Sequence, residues 1–125
     1  MRLWNAQDRD QWFALFADDV TFDDPVGVPT THGRAALETS WARSNRAERS
    51  WKLEPRRVIS CGDEAAVDLL NHGTLDGKAV TVMSIEIWRV NDIGLVASVR
   101  VFFDPDPAIH DPFYLAHDES RHCAL

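Results

Sequence analysis

Residues 78–90 read KAVTVMSIEIWRV, an alternation of apolar and other side chains that is typical of a β-strand. The same period of two runs through residues 51–60, 64–75 and 95–103, so four strands are predicted. The segments that separate them, Cys61-Gly62-Asp63, Asp76-Gly77 and residues 91–94, are short turn sequences. We therefore expect neighbouring strands to pair as antiparallel hairpins.

Two helices are predicted ahead of these strands. Asp8 and Gln11 have the spacing of a capping box, and apolar residues then recur at helical intervals through about residue 17. A short extended segment is expected over residues 20–23, and a second helix over about residues 33–48. Helices followed by a strand meander predict an α+β domain, in which the helices pack on one face of a strongly bent antiparallel sheet.

The length and charge exclude several classes of protein. A chain of 125 residues is one domain, expected over residues 1–103, and the Asp-Pro-Asp-Pro segment then begins a tail over residues 104–125. A net charge of −7 and a pI near 5.0 argue against nucleic acid or an anionic membrane as partner. Because the first ten residues are polar and no apolar run is long enough to span a bilayer, a soluble, cytoplasmic protein is expected.

The alternation also assigns side chains to the two faces of the sheet, once the hairpin is centred on Asp76-Gly77. Both faces are largely apolar, so the helices can cover one, and the other suggests a homodimer packed through the sheet. The predicted inner face carries Val67, Leu69, Asn71, Gly73, Val82, Ser84, Glu86, Trp88, Val99, Val101 and Phe103. The outer face carries Leu70, His72, Thr81, Met83, Ile85, Ile87 and Phe102.

Two acidic residues are candidates for chemistry. Glu86 stands in an apolar strand, so we expect a neutral carboxyl with a raised pKa or one open to a cavity; the alternative is that its face meets solvent. Asp24 precedes Pro25, where a carboxylate often accepts the backbone hydrogen bonds of a turn. Arg34 is expected to pair with Asp23 or Asp24. If the fold brings Asp24 to the cavity of Glu86, the two supply a general base and an oxyanion donor.

The order of these motifs resembles a known family. Residues 16–27, FADDVTFDDPVG, followed by His32-Gly33-Arg34, resemble the front half of the SnoaL-like and ketosteroid isomerase family. Residues 84–90, SIEIWRV, with Gly94 and residues 99–103, VRVFF, resemble its last two strands. The resemblance covers about the first hundred residues. It implies the cone-shaped α+β barrel shared with nuclear transport factor two, which is commonly dimeric through the outer face of the sheet.

The resemblance also implies roles for individual residues. In ketosteroid isomerases the carboxylate of the Asp-Pro motif moves a proton between two carbons of the substrate, which makes Asp24 the candidate base. Glu86 matches the protonated aspartic acid that donates a hydrogen bond to the substrate oxygen, with one extra methylene. Phe103 falls where the family often has an aromatic residue lining the site.

The family's tyrosine donor is the main departure from this pattern. Counting back from Asp24, its position falls before Met1, so the first helix is expected to be a truncated stub around residues 3–6. Tyr114 is the only tyrosine of the chain, and it could replace the missing donor only if the tail folds back over the cavity.

The prediction is therefore ketosteroid isomerase-like proton transfer on a small, hydrophobic, steroid-like ketone in an apolar cavity, with Asp24 and Glu86 as catalytic residues. The alternatives are a non-catalytic small-molecule-binding protein of the same fold and a SnoaL-like cyclase or dehydratase. No cofactor and no metal are predicted, and the expected partners are a small hydrophobic ligand and a second copy of the chain. The residues expected to bind the ligand are Leu69, Asn71, Val82, Ser84, Trp88, Val99, Val101 and Phe103.

Overall fold

The structure is a computed structural model, and it describes residues 1–46, 49–75 and 77–104. The helices in this part of the chain are α1 (Arg2–Asn5), α2 (Arg9–Phe13) and α3 (Gly33–Ser44). The strands are β1 (Phe16–Asp23), β2 (Thr31–His32), β3 (Asn45–Arg46), β4 (Arg49–Ser50), β5 (Lys52–Cys61), β6 (Glu64–Leu75), β7 (Lys78–Val90) and β8 (Val96–Phe102). The expected tail, with Tyr114, lies outside the described residues from residue 105 onward.

Six of the strands form one sheet, in the order β2-β1-β8-β7-β6-β5. The pairs β5–β6, β6–β7 and β7–β8 are antiparallel, as the alternation and turn sequences predicted. β1 lies on the other side of β8 and runs parallel to it. Register shifts interrupt the β1–β8, β5–β6 and β7–β8 pairs, and such bulges bend strands. The described strands thus form a curved sheet that is not closed into a full barrel, and the α+β class is confirmed.

The first predicted helix is correct at its start and wrong at its end. α2 follows Asp8, whose side chain accepts a hydrogen bond from the backbone N–H of Gln11 at 3.3 Å. The chain is already extended at Phe16, which the helical spacing had placed in the helix. The helix ends before Phe16 because this part of the chain pairs with β8. Phe16 lies opposite Val96, and the Val96 N–H donates to the carbonyl of Leu15 at 2.8 Å.

The second predicted helix is also shorter than expected. α3 ends at Ser44 rather than near residue 48, because Asn45–Arg46 forms β3 and pairs with β4. The Asn45 side-chain amide donates to the carbonyl of Trp41 at 3.0 Å, which satisfies one of the free carbonyl groups in the last turn.

The register of the strands confirms the sorting of side chains between the two faces. Glu86 lies between Val67 and Val101 on the neighbouring strands, whereas Ile85 on the opposite face lies beside Phe102. The helices pack against the inner face, and the buried core between them consists of Trp4, Trp12, Phe13, Phe16, Val20, Leu37, Val96, Val99 and Val101. On the outer face Ile85 and Phe102 are 43% and 40% exposed, so part of that apolar surface is open in a single chain.

Candidate active site

A cavity of about 490 Å³ lies between the helices and the inner face of the sheet. Its volume is in the range of small-molecule sites in proteins. Most of its wall is apolar, and all five tryptophans of the chain contribute to it. The wall consists of Trp4, Trp12, Phe16, Phe22, Asp24, Leu37, Ser40, Trp41, Ser44, Trp51, Leu53, Asn71, Val82, Ser84, Glu86, Trp88, Val99, Val101 and Phe103.

The structure places both candidate acids and most of the expected ligand-binding residues in this wall. Those present are Asn71, Val82, Ser84, Trp88, Val99, Val101 and Phe103. The expectation that Leu69 binds the ligand is corrected. Leu69 is on the expected strand face, but its side chain is fully buried and does not form part of the cavity wall. Since neighbouring protein atoms cover it completely, Leu69 belongs to the packed interior rather than to the surface that a ligand would meet.

The sheet topology brings the two acids together from distant parts of the sequence. Asp24 directly follows β1, and the Val26 N–H anchors the next residues by donating to the carbonyl of Val101 at 2.9 Å. Val101 in turn lies opposite Glu86 on β7. Asp24 and Glu86 are therefore separated by two strand spacings, or about 10 Å between their backbones. Both carboxyls face the same cavity across Val101.

Glu86 has the environment of a neutral carboxylic acid. Only 9% of the residue is exposed, and burial raises its pKa from 4.5 to about 7. The indole N–H of Trp88 donates to Oε2 of Glu86 at 2.7 Å, which favours the ionised form and opposes that rise, while the negative charge of Asp24 adds to it. Solvent exposure of this face, the alternative left open by the sequence, is thereby excluded.

The Trp88 hydrogen bond also determines where the Glu86 proton resides. Because Oε2 accepts the indole N–H, and the carbonyl oxygen of a carboxylic acid is the better acceptor, we assign the proton of neutral Glu86 to Oε1. Oε1 has no hydrogen-bond partner among the described residues, and it is not enclosed by protein atoms. The neutral form of Glu86 can therefore donate a hydrogen bond to a ligand oxygen in the cavity.

Asp24 lies at the rim of the cavity and is more accessible than Glu86. The surrounding protein partly desolvates its carboxyl and raises its pKa, and the positive charge of Arg43 on α3 opposes this rise. Because the negative charge of Asp24 is one of the causes that raise the pKa of Glu86, Asp24 is the group that ionises first as the pH increases. Near pH 7 Asp24 is therefore the carboxylate of the pair, while about half of the Glu86 side chains keep the proton that they can donate.

The acid next to Asp24 has a structural role, and the expected arginine contact is wrong. Asp23 points to the other face of β1, where its carboxylate accepts a hydrogen bond from Thr30 and lies 3.4 Å from Nε of Arg100. Arg34 lies 3.5 Å from Asp18 and donates to the carbonyl of Phe13, so it pairs with neither Asp23 nor Asp24. Asp23 and Asp24 face different sides because consecutive residues of an extended segment point to opposite faces.

Sequence reasoning missed four of the five tryptophans in the wall, having assigned only Trp88 to the site. Trp4 and Trp12 make an edge contact with ring centroids 5.4 Å apart, and Trp4 and Trp41 another at 5.1 Å. The indole N–H of Trp4 also donates to the carbonyl of Trp51 at 2.8 Å, which ties α1 to the sheet. The one available signal was the presence of five tryptophans in a chain of 125 residues. Side chains of this size leave gaps between them unless they fit one another closely, so their number could have indicated a cavity.

Trp51 depends on a glycine that faces it. A Cβ atom at Gly73 on β6 would lie 2.7 Å from Cδ2 and from Cζ3 of the Trp51 ring, and nearer still to Cε3. These separations are too short for any side chain, so the indole of Trp51 packs directly on the strand backbone. Gly73 thus fixes one wall of the cavity without touching its interior.

The described residues contain no group of three or more His, Cys, Asp or Glu side chains placed to hold a metal ion. None of the helices among them has the length and apolar character needed to cross a membrane. The polar groups of the cavity wall are its two carboxyls and its hydroxyl and amide groups, which stand beside a large aromatic surface.

The fold is thus a curved α+β sheet, and its candidate site is a tryptophan-rich cavity with two carboxyls in unequal surroundings. Residues 1–99 match the model of the SnoaL-like domain. The chain belongs to the SnoaL-like family.

Individual relatives show what this family match includes. The chain is 28% identical over 99 residues to a steroid Δ-isomerase of Nocardioides simplex, and the match covers 79% of each protein. It is 26% identical to the epoxide hydrolase/cyclase-like enzyme SalBIII, with a TM-score of 0.76 and 85% of each chain covered. A Mycobacterium tuberculosis protein solved in complex with estradiol-17β-hemisuccinate is 28% identical, with a TM-score of 0.72 over 85% of this chain and 88% of that one.

Proposed function

We propose that this chain catalyses proton transfer between two carbons of a small, hydrophobic, steroid-like ketone, in the manner of a ketosteroid isomerase. The observation that carries the proposal is the pair of cavity carboxyls with unequal proton affinity, Glu86 with a pKa of about 7 and Asp24 ionised below it. A base and an acid that differ in this way serve an enolisation, since one must remove a proton while the other stabilises the oxyanion.

In the proposed reaction, one proton moves between two carbons of the ketone and no other atom is gained or lost. The carboxylate of Asp24 removes a proton from the carbon that lies between the carbonyl and the double bond of a β,γ-unsaturated ketone. The electron pair moves onto the carbonyl oxygen, and the resulting dienolate oxygen accepts a hydrogen bond from Oε1–H of Glu86. Asp24 then returns the same proton to the far carbon of the former double bond, which yields the conjugated ketone and restores the carboxylate.

The relatives support a ligand of this class. One is a steroid Δ-isomerase, and another was solved with a steroid derivative bound. The apolar wall, with its five indole rings, suits a flat hydrophobic molecule. The likeness to an epoxide hydrolase/cyclase-like enzyme favours a second candidate, acid-assisted ring closure, because the same carboxyl pair could protonate an epoxide oxygen and accept a hydroxyl proton.

The first experiment follows the ultraviolet absorbance of the conjugated enone formed from an unconjugated ketosteroid, with native protein and Asp24→Asn compared. The proposal expects turnover that falls by at least about a hundredfold in Asp24→Asn, with steroid affinity changed little. Steroid binding without turnover in either protein would refute catalysis on this substrate and leave the binding-protein alternative. Asp19→Asn is the matched control, because Asp19 lies on β1 outside the cavity.

We also propose that two copies pack through their outer sheet faces. Support comes from the apolar side chains that remain open there, including Ile85 and Phe102. Analytical ultracentrifugation should then find a dimer that Ile85→Lys disrupts. Ile93→Lys is the control, since Ile93 is highly exposed in the turn between β7 and β8. A native protein that sediments as a monomer at micromolar concentration would refute the dimer.

A further inference from the structure

A second polar group stands on the cavity wall, farther along the strand that carries Glu86. Ser84 is two residues from Glu86 on β7 and faces the same side, so the two side chains emerge about 7 Å apart. Ser84 is 97% buried in its strand environment, with only 3% of its surface exposed, yet it lines the cavity. Asn71 on β6 reaches it from the neighbouring strand.

The hydrogen bonds of this pair fix the orientation of both side chains. Nδ2 of Asn71 donates one hydrogen to the carbonyl of Val82 at 3.0 Å and the other to Oγ of Ser84 at 2.9 Å. Because the Val82 carbonyl can only accept, the amide nitrogen must point toward it, and Oδ1 of Asn71 must point the other way. Neither side chain can rotate without losing a hydrogen bond.

These bonds leave the pair with a free donor and a free amide oxygen. The Ser84 hydroxyl has used a lone pair and keeps its hydrogen, and Oδ1 of Asn71 has no donor among the described residues. Oδ1 is also not enclosed by protein atoms, because the one fully enclosed side-chain N or O atom without a partner in the described chain belongs to Asn45. Asn71 and Ser84 both line the cavity, so this donor and this acceptor are placed to meet a ligand there.

We propose that Asn71 and Ser84 form a second polar subsite, which binds a hydroxyl group of the ligand at a distance from the oxygen that meets Glu86. A hydroxyl satisfies both free groups, since it donates to Oδ1 of Asn71 and accepts from the Ser84 hydroxyl. A carbonyl oxygen can use only the Ser84 hydrogen and leaves Oδ1 unsatisfied. The substrate class becomes a hydrophobic ketone with a hydroxyl at its other end. This inference rests on the proposed function for the placement of the ketone at Glu86.

The test compares three steroids that share the same enone ring. Testosterone carries a hydroxyl at the end opposite its ketone, androstenedione carries a ketone there, and the third compound has no oxygen at that position. Quenching of the tryptophan fluorescence reports binding, because every tryptophan lines the cavity. Native protein should bind testosterone about three- to tenfold more tightly than the compound without the second oxygen, with androstenedione between them.

Ser84→Ala should reduce this preference to about onefold, and Ser98→Ala should preserve it. Ser98 is the matched control, since it lies on β8 next to Val99 and faces the other side of the sheet. If Ser84→Ala does not fold, Ser84→Cys carries the same expectation, because a thiol of similar size is a weak donor. A preference that survives in Ser84→Ala, or equal native affinities for all three steroids, overturns the subsite.

Turnover separates this inference from the proposed function. A hydroxyl preference that depends on Ser84, without enone formation from the unconjugated ketosteroid, would support the subsite and refute catalysis on the unconjugated ketosteroid. Enone formation that depends on Asp24, without a hydroxyl preference, would support catalysis and refute the subsite. If none of the three steroids binds and no enone forms, both proposals fail for this class of ligand.

Discussion

Replacing Glu86 by glutamine should stabilise the protein above neutral pH, and the stabilisation should disappear in acid. The carboxyl is buried beside Trp88 with a pKa raised from 4.5 to about 7, so the folded chain binds this proton more tightly than the unfolded chain. Stability that depends on such a group is fully present below the unfolded value and is lost as the pH rises toward the folded value. At about 1.4 kcal/mol per pH unit, the rise in pKa from 4.5 to about 7 corresponds to a loss of about 3 kcal/mol in the free energy of unfolding.

Glutamine keeps the shape of Glu86, and its amide oxygen can still accept the Trp88 indole N–H, but it carries no charge at any pH. The Glu86→Gln protein should therefore gain up to about 3 kcal/mol over native protein above pH 7 and nearly nothing near pH 4.5. Urea unfolding followed by tryptophan fluorescence, in steps between those limits, measures the difference. Glu64→Gln, at the exposed start of β6, is the control for losing a carboxylate.

The pH dependence of the difference is the decisive result. Other titrating groups are common to both proteins, so their effects largely cancel when the two free energies of unfolding are subtracted. A difference between native protein and Glu86→Gln that stays constant across this range would show that Glu86 is not a buried, neutral acid. A native protein that gains stability relative to the variant as the pH rises would reverse the sign, and the proposed donor role would fail with it.

Two further substitutions probe how the wall supports the site. Trp88→Phe removes the indole N–H that favours ionised Glu86, so the pKa of Glu86 should rise. The loss of turnover at alkaline pH should then move upward by about one pH unit. An unchanged pH–rate profile would refute this positioning role of Trp88. Gly73→Ala should force the Trp51 ring off the strand, costing about 1–3 kcal/mol of stability and weakening steroid binding, as measured by urea unfolding and fluorescence. Thr74→Ala on the opposite face is the control, and a Gly73→Ala protein with native stability and affinity would contradict the packing argument.

The parts of the fold that the sequence predicted well are those held by local information. The period of two and the short turns between strands identify β5 to β8 almost to the residue, because each hairpin joins segments adjacent in the chain. The start of β1 could not be found in this way. Phe16 continues a helical pattern, and it becomes a strand residue only because β8, contributed by the far end of the domain, pairs with it.

Glu86 and the tryptophans show why one half of the site could be predicted and the other could not. A carboxyl in an apolar strand contradicts its surroundings, so Glu86 stands out in the sequence as a residue that needs a special environment. Trp12 or Trp41 contradicts nothing, because a large apolar side chain on a helix is expected in a packed core. Whether such a residue fills the core or borders an open space depends on how closely its neighbours approach it. Here edge contacts between indole rings, with centroids 5.1 to 5.9 Å apart, hold the tryptophans against one another, and the space beside Glu86 stays open.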